Sequence, residues 1–330
     1  MDNQRRHRHS FFWPTLLIGV GLIWLLVNLG IIAPFSIGTI LQFWPILLIV
    51  FGLDILFSRS YAWVGSVVGI LAVGGLVAYL IMSPQAAAQI TPQSLQENFT
   101  APVGETTAVT YNLETASEPV SLYALDANSD QLIEANLTHQ GKVNFSVTGT
   151  SDKMVSLSET IDPSNWFTWT LSNANLKWNV GLAAGLPADV KLSGGSGSIE
   201  ADLSGMKLQT LTADLGSGSS NFTFPQSDTE ISAIVNSGSG SVNISLPEKT
   251  DVTLRLQSGS GSLNISLPAG AGVKVEVMDS GSGSLSLPSS LNQLSGDRNA
   301  GTWQSEGYAQ AATKIAIKIL DRGSGSISIN

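Results

Sequence analysis

Few side chains in this 330-residue chain have the type and spacing to do covalent chemistry. There is no cysteine, which removes disulfides, thiolate metal sites and thiol nucleophiles. Beyond the first ten residues the one histidine is His139, in the exposed-looking phrase LTHQGK, and a serine–histidine–aspartate site would have to rest on it. Glu200 and Asp202 stand two apart, so on a strand they share its outward face, where two solvated carboxylates are ordinary. Asp251 and Glu276 lie far apart, and neither pair reads as the carboxylates of a glycosidase. His7 and His9 alternate with Arg5, Arg6 and Arg8, a pattern that marks a basic tail more simply than a metal tract. No catalytic, metal or cofactor-binding residue is expected, and no enzyme.

The remaining candidate chemistry is glycine-rich. GSGS begins at Gly195, Gly216, Gly238, Gly259, Gly281 and Gly323, and GSGSVNISLP at Gly238 returns almost unchanged at Gly259. Calcium-binding rolls need aspartate in such turns, and these carry serine. Phosphate-cradling loops need a following helix and a lysine, and neither is present. A flexible linker would not sit between segments that alternate apolar and polar residues. The spacing of 21 or 22 residues is instead that of a β-solenoid, one coil per repeat, from about residue 190. Within a coil, Val242, Ile244 and Leu246 face inward, and Val252, Leu254 and Leu256 follow after Pro247. Stacking places Asn243 over Asn264 and Ser245 over Ser266 on the solvent face. Glycine suits a corner that turns tightly and stacks backbones closely, and serine can satisfy exposed backbone groups locally. Pro225, Pro247, Pro268 and Pro288 end strands where no ladder donor is needed.

The last two corners are 42 residues apart, two periods, as though a coil were lost beneath the insertion SGDRNAGTWQSEG at Ser295 to Gly307. Arg298, Trp303 and Glu306 in that insertion form a candidate interaction surface. The final strand, with Ile327 and Ile329, would leave an open edge, expected to pair with the insertion or with another subunit. Upstream of the repeats, Thr107–Leu113, Lys142–Thr148 and Met154–Glu159 also alternate as strands. Trp166, Phe167 and Trp169 read as core or capping aromatics, with a ligand platform as the alternative.

The elements that must hold this β domain precede it. Residues 1–10 form a basic tail, and apolar stretches at about 11–32, 37–57 and 62–82 are each long enough to cross a bilayer. FWPTLLIGVGL at Phe12 is repeated as FWPILLIVFGL at Phe43, with proline near each helix start. Arg5, Arg6 and Arg8 before the first helix and Arg59 between the second and third place those ends in the cytoplasm. Asp54, about one turn from Arg59, reads as an interfacial carboxylate with a charge partner. Three crossings then carry a polar linker, 83–102, and the β domain, 103–330, out of the cytoplasm. The first 82 residues carry a net charge of +2 and the remainder −11, which makes the outer part a poor ligand for nucleic acid.

The duplicated FWP-x-LLI-x-x-GL, with NLGII closing the first helix, resembles the transmembrane region of bacterial Lia-type envelope-stress proteins. The stretch from Trp178 through Pro225, including NVGLAAGLPADVKLSGGSGSIEADLSG, resembles the β domain called toast-rack, or DUF4097, known as an adhesin-like repeat. The resemblance implies a non-enzymatic protein of the bacterial cytoplasmic membrane, in a group associated with the response to cell-wall-active antibiotics. It transfers no functional residue to a numbered position, and the third helix departs from the simplest hairpin pattern. The expected partners are the bilayer and another membrane or envelope protein, with self-association and cell-wall glycan as further readings. The expected role is a scaffold or modulator of envelope-stress signalling; the alternative is a surface adhesin or glycan-binding module.

Overall fold

The computed structural model describes residues 94–160, 175–278, 281–297 and 300–330, together with Gly21, Leu25, Leu48, Gly74 and Gly75 as isolated helical positions. The rest of the expected membrane segments, the aromatics Trp166, Phe167 and Trp169, and Arg298 lie outside the described residues. Among the described residues no helix is long and apolar enough to cross a membrane.

The strands in chain order begin with β1 (Leu95–Pro102), β2 (Ala108–Thr115), β3 (Val120–Ala124), β4 (Gln131–His139), β5 (Lys142–Thr148), β6 (Asp152–Thr160) and β7 (Lys177–Leu182). The repeats supply β8 (Pro187–Gly194), β9 (Ile199–Asp202), β10 (Lys207–Leu215), β11 (Ser220–Thr223), β12 (Ile231–Ser237), β13 (Ser241–Ser245), β14 (Val252–Ser258) and β15 (Ser262–Ser266). The chain ends with β16 (Gly272–Val277), β17 (Ser284–Ser286), β18 (Leu291–Gly296), β19 (Gly301–Ser305), β20 (Lys314–Asp321) and β21 (Ser326–Ile329). β1 begins inside the segment read as a linker: it alternates weakly, and its partner β4 is supplied only by the fold.

These strands form two sheets. One runs β1-β4-β7-β3-β9-β11-β13-β15-β21-β17, the other β18-β19-β16-β20-β14-β12-β10-β8-β2-β6-β5. Each repeat contributes one strand to each sheet, joined through its GSGS corner, and successive repeats pair in parallel. Parallel strands usually lie in sheets covered on both faces and read as continuous apolar runs. Here the outer faces are solvated, so the strands keep a period of two, as in the burial of β13, where Val242 and Ile244 are buried and their neighbours exposed.

Inward residues fall on continuous rungs. Val155, Tyr111, Val190, Leu211, Ala233, Leu254, Ile317 and Val275 follow one another across the second sheet. Leu122, Ala201, Phe222, Ile244, Ile265 and Ile329 do so across the first. Both sets are buried, and the placing of Ala201 beside Phe222 lets large and small side chains fill one layer. Tyr111 crosses the interior: its hydroxyl donates to the Leu132 carbonyl at 2.7 Å and accepts from the Ala183 amide at 3.1 Å. Burial pushes its ionisation well above the ordinary phenol range, so it stays a neutral strut.

Two expectations about the ends are corrected. No coil is missing between Gly281 and Gly323. Instead β20 and β21 intercalate between the Gly259 coil and the Gly281 coil, β20 lying between β14 and β16 and β21 between β15 and β17. The chain therefore ends inside a sheet: β21 is paired on both sides, and the Leu267 amide donates to the Asn330 carbonyl at 2.8 Å. The insertion pairs elsewhere, as the antiparallel hairpin β18–β19 that extends the second sheet beyond β16. The same device closes the other end. The β6/β7 coil lies outside the β2/β3 coil that precedes it in sequence, and β1, β4 and β5 add antiparallel strands.

The corners explain the glycines. A Cβ added at Gly216 would strike the carbonyl oxygen of Gly195; at Gly238, that of Gly216; at Gly259, that of Gly238; at Gly323, that of Gly259; and at Gly281, that of Gly323. Only Gly281 (φ 46°) and Gly323 (φ 59°) among these corner positions have left-handed backbone. Close approach of neighbouring coils, and not positive φ, is the general requirement. The serine amides bond between coils: Ser217 N donates to Gly195 O at 3.0 Å, Ser260 N to Gly238 O at 3.1 Å and Ser324 N to Gly259 O at 2.9 Å. The second glycine of each corner is equally confined, Gly218 against the Gly197 carbonyl.

Gly218→Ala should therefore destabilise the β unit by about 1–3 kcal/mol, since the atom its methyl meets is backbone and cannot rotate away. Gly185→Ala, where no atom lies within 4 Å of an added Cβ, should change stability by less than about 0.5 kcal/mol. Thermal melts of the two variants, followed by circular dichroism, check the contrast.

Candidate interaction surface

The side chains weighed and set aside for catalysis make hydrogen bonds and ion pairs within the β unit. His139, read as exposed, is buried at the end of β4; its Nδ1 lies 2.9 Å from the Gly141 carbonyl and its Nε2 3.6 Å from Glu97 Oε2. The turn Gln140–Gly141 folds over it, which the polar phrase LTHQGK could not reveal. Glu200 and Asp202 are exposed on one face of β9, as expected. Glu200 accepts from Asn221 Nδ2 at 2.7 Å, and Asp202 accepts from the Ser204 amide at 3.1 Å. Asp251 accepts from the Lys314 amide at 2.7 Å, while Glu276 faces Lys318 Nζ at 3.6 Å. Among the described residues no group of three histidine, aspartate or glutamate side chains is placed to hold a metal ion.

The proposed surface on the insertion divides. Trp303 is only 9% exposed, because β19 lies antiparallel to β16 with Trp303 opposite Val275, and its ring closes the end of the core. Glu306 is exposed in the turn after β19. An aromatic between threonine and glutamine in GTWQS alternates as a strand does, and that was the available signal for an inward tryptophan.

The regular polar faces are better candidates. On the outer face of the first sheet Asn264 Nδ2 donates to Asn243 Oδ1 at 2.9 Å, Asn243 Nδ2 to Asn221 Oδ1 at 2.7 Å, and Asn221 to Glu200. The side-chain amides thus bond from coil to coil along the stack, as the backbone does, and a carboxylate receives the last donor. Each coil adds one rung at the strand spacing of about 4.8 Å, so the row is ordered before anything touches it. On the second sheet Asp214, Asn236, Gln257 and Asp321 are in register, with Asn236 Nδ2 donating to Asp214 at 2.6 Å. This row and the corners Gly216, Gly238, Gly259 and Gly323 line an open groove of about 790 Å³.

A buried polar cluster went unnoticed in the sequence. Residues 116–119, ASEP, form the corner of the β2/β3 coil: a Cβ at Gly195 would strike the Ala116 carbonyl, and one at Gly197 that of Glu118. Here the side chain of Glu118 turns inward and is 1% exposed; its Oε2 accepts from the Ser117 amide at 3.0 Å, while Oε1 has no hydrogen-bond partner. Glu159, at the end of β6, accepts from the Gly141 amide at 2.5 Å and the Gln140 amide at 3.3 Å, and its Oε2 is also unpartnered. Burial, followed by the neighbouring Glu118 carboxylate, pushes the Glu159 carboxyl above its usual 4.5, against the opposing pull of the two amides and His139.

A raised carboxyl holds its proton in the fold over a pH range where the unfolded chain has released it. Glu159 therefore reduces stability as pH climbs from 4.5 through its raised value. Glu159→Gln, whose amide oxygen can keep the Gly141 bond, should melt at a higher temperature than wild type at pH 7 and lose that advantage near pH 4. Melting curves across that range check the sign.

Residues 12–90 match the LiaF transmembrane domain, residues 91–245 the N-terminal domain of toast_rack (DUF2154), and residues 181–314 the toastrack domain DUF4097. A solved structure of a candidate cell adhesion protein from Clostridium sporogenes is similar at 19% identity and a TM-score of 0.48, over 72% of this chain and 99% of that one. A candidate adhesin from Bacteroides fragilis is similar at 13% identity and a TM-score of 0.31, with the same coverages. A candidate lipid-binding protein from Parabacteroides distasonis is similar at 10% identity and a TM-score of 0.28, over 70% of this chain and 96% of that one. No curated protein matches the chain. The duplicated FWP segments and the coils built on GSGS corners thus fall within family matches that together span residues 12–314 and match a LiaF-like membrane protein with a toast-rack domain.

Proposed function

We propose that this membrane-anchored protein is a non-enzymatic scaffold or modulator of cell-envelope stress signalling, and that its β unit contacts another membrane or envelope protein outside the cytoplasm. The observation that carries the reading is the ladder from Asn264 through Asn243 and Asn221 to Glu200, a polar surface whose side chains are already fixed by one another. A preordered surface loses little conformational freedom on docking, which suits recognition of a protein partner. The segment matched to the LiaF transmembrane domain supplies the anchor. Arg5, Arg6, Arg8 and Arg59 favour three crossings with a cytoplasmic N-terminus, which places residues after Met82 on the outer side. The glycan-binding alternative is weakened where it was most specific, because Trp303 is buried and offers no stacking platform.

A photo-crosslinking residue at Asn243 in the full chain should capture an envelope protein in intact cells, with a yield that changes under cell-wall stress. The same residue at Arg255, exposed on the other sheet, serves as the control. Recovery of no envelope partner at Asn243 in any growth or stress condition would sink the scaffold reading. Protease applied outside intact cells should remove a tag at the C-terminus; a tag that stays protected there but is cleaved in inside-out membranes would put the β unit in the cytoplasm.

A further inference from the structure

Every open sheet has edge strands whose unpaired amides and carbonyls invite another strand, and proteins block such edges with short strands, bulges, proline or charge. Among the described residues four strands lie at sheet edges, and three of them carry such a device. β1 contains Glu97, ends at Pro102 and shifts register between Ala101 and Pro102. β17 has three residues. β18 shifts register between Gln293 and Ser295. The fourth edge, β5, is different. Its seven residues, KVNFSVT, pair with β6 without a register shift, contain no proline, and carry one charge, Lys142, at the end.

The geometry points to β5 as a self-association edge, at which a second copy of this chain adds its own β5 antiparallel across a two-fold axis through Phe145. The sequence of the strand is self-complementary in that arrangement. Phe145 lies opposite Phe145 of the second copy, Val143 opposite Val147, Asn144 opposite Ser146, and Lys142 opposite Thr148, so no charge meets its like. All apolar members fall on one face and all polar members on the other. Val143, Phe145 and Val147 are only half-buried against the core, and Phe145 packs on Phe99 of β1 with ring centroids 5.2 Å apart at 42°. A second copy would extend this apolar face, pairing aromatic with aromatic and β-branched with β-branched residues, the cross-strand pairs that add most to a sheet. A seven-residue strand pair is smaller than a standard stable interface, but two chains anchored in one membrane meet at a raised effective concentration, which lets a small interface suffice.

Charge complementation in the full chain tests it. Asn144→Lys with Ser146→Lys would place lysine opposite lysine across the axis, and Asn144→Glu with Ser146→Glu would do the same with carboxylates. Both positions are exposed on β5. Each double variant, reconstituted into lipid vesicles, should self-associate about tenfold more weakly than wild type. Co-expression of the two with different tags should restore association, because lysine then faces glutamate. In the chain without other cysteines, Phe145→Cys should form a disulfide-linked dimer on mild oxidation, whereas Val143→Cys should do so only when mixed with Val147→Cys. A wild type that stays monomeric in the membrane, charged variants that associate as strongly as wild type, failure of the mixed pair to recover, or capture of a different protein at β5 in place of a second copy would each overturn the proposal.

Discussion

The structure depends on backbone-to-backbone contact at the glycine corners. At each corner a glycine Cα lies so near the carbonyl oxygen of the neighbouring coil that no Cβ fits, and the following serine amide completes a hydrogen bond to that coil. Because this contact sets the separation of adjacent coils at one side, both sheets are held to the strand spacing, and the inward rungs align without gaps. Polar residues on the outside inherit the same spacing. The asparagine ladder on the first sheet is therefore a consequence of the corners, as is the aspartate, asparagine and glutamine row on the second.

A stack of parallel coils cannot end itself, because its last coil exposes a core and two strand edges. This chain closes both ends by placing a later coil out of order and adding antiparallel strands. At one end Trp303 on β19 covers the core; at the other, Phe99 on β1 meets Phe145 on β5. The closing strands carry bulges, proline or short length at three edges and leave β5 regular. The end beyond the β2/β3 coil is also where the glycine corner gives way to ASEP, and where buried Glu118 and His139 lie beside half-buried Glu159. Carboxylates with unpartnered oxygens detract from stability there, unlike the apolar rungs in the middle.

Much of the middle was legible. Val242, Ile244, Leu254, Leu263 and Ile265 could be assigned inward from period two alone, and Asn243 over Asn264 from the repeat length alone, because each coil is a near copy of its neighbour. The ends were less legible for the same reason: their pairing partners are not the sequence-adjacent repeats. β1 was read as part of a linker, Trp303 as surface and His139 as exposed, since burial in each case comes from a strand or turn that local pattern does not name. Glu118 lies in a corner that lacks glycine, so nothing in the repeat drew it out.

By itself the sequence determined the repeating coil, its inward and outward faces, the glycine requirement and an apolar leader able to enter a membrane. Those properties follow from local spacing and from side-chain volume, which are the same wherever the segment packs. Tertiary structure alone decided that β20 and β21 slip between two earlier coils, that the C-terminal strand is interior, that Trp303 is a plug, and that β5 is an edge strand among the described residues. Hydrogen bonding between strands is indifferent to the number of residues separating them, so the order of strands is chosen by which edges and apolar ends can be covered together, a choice that no single segment records.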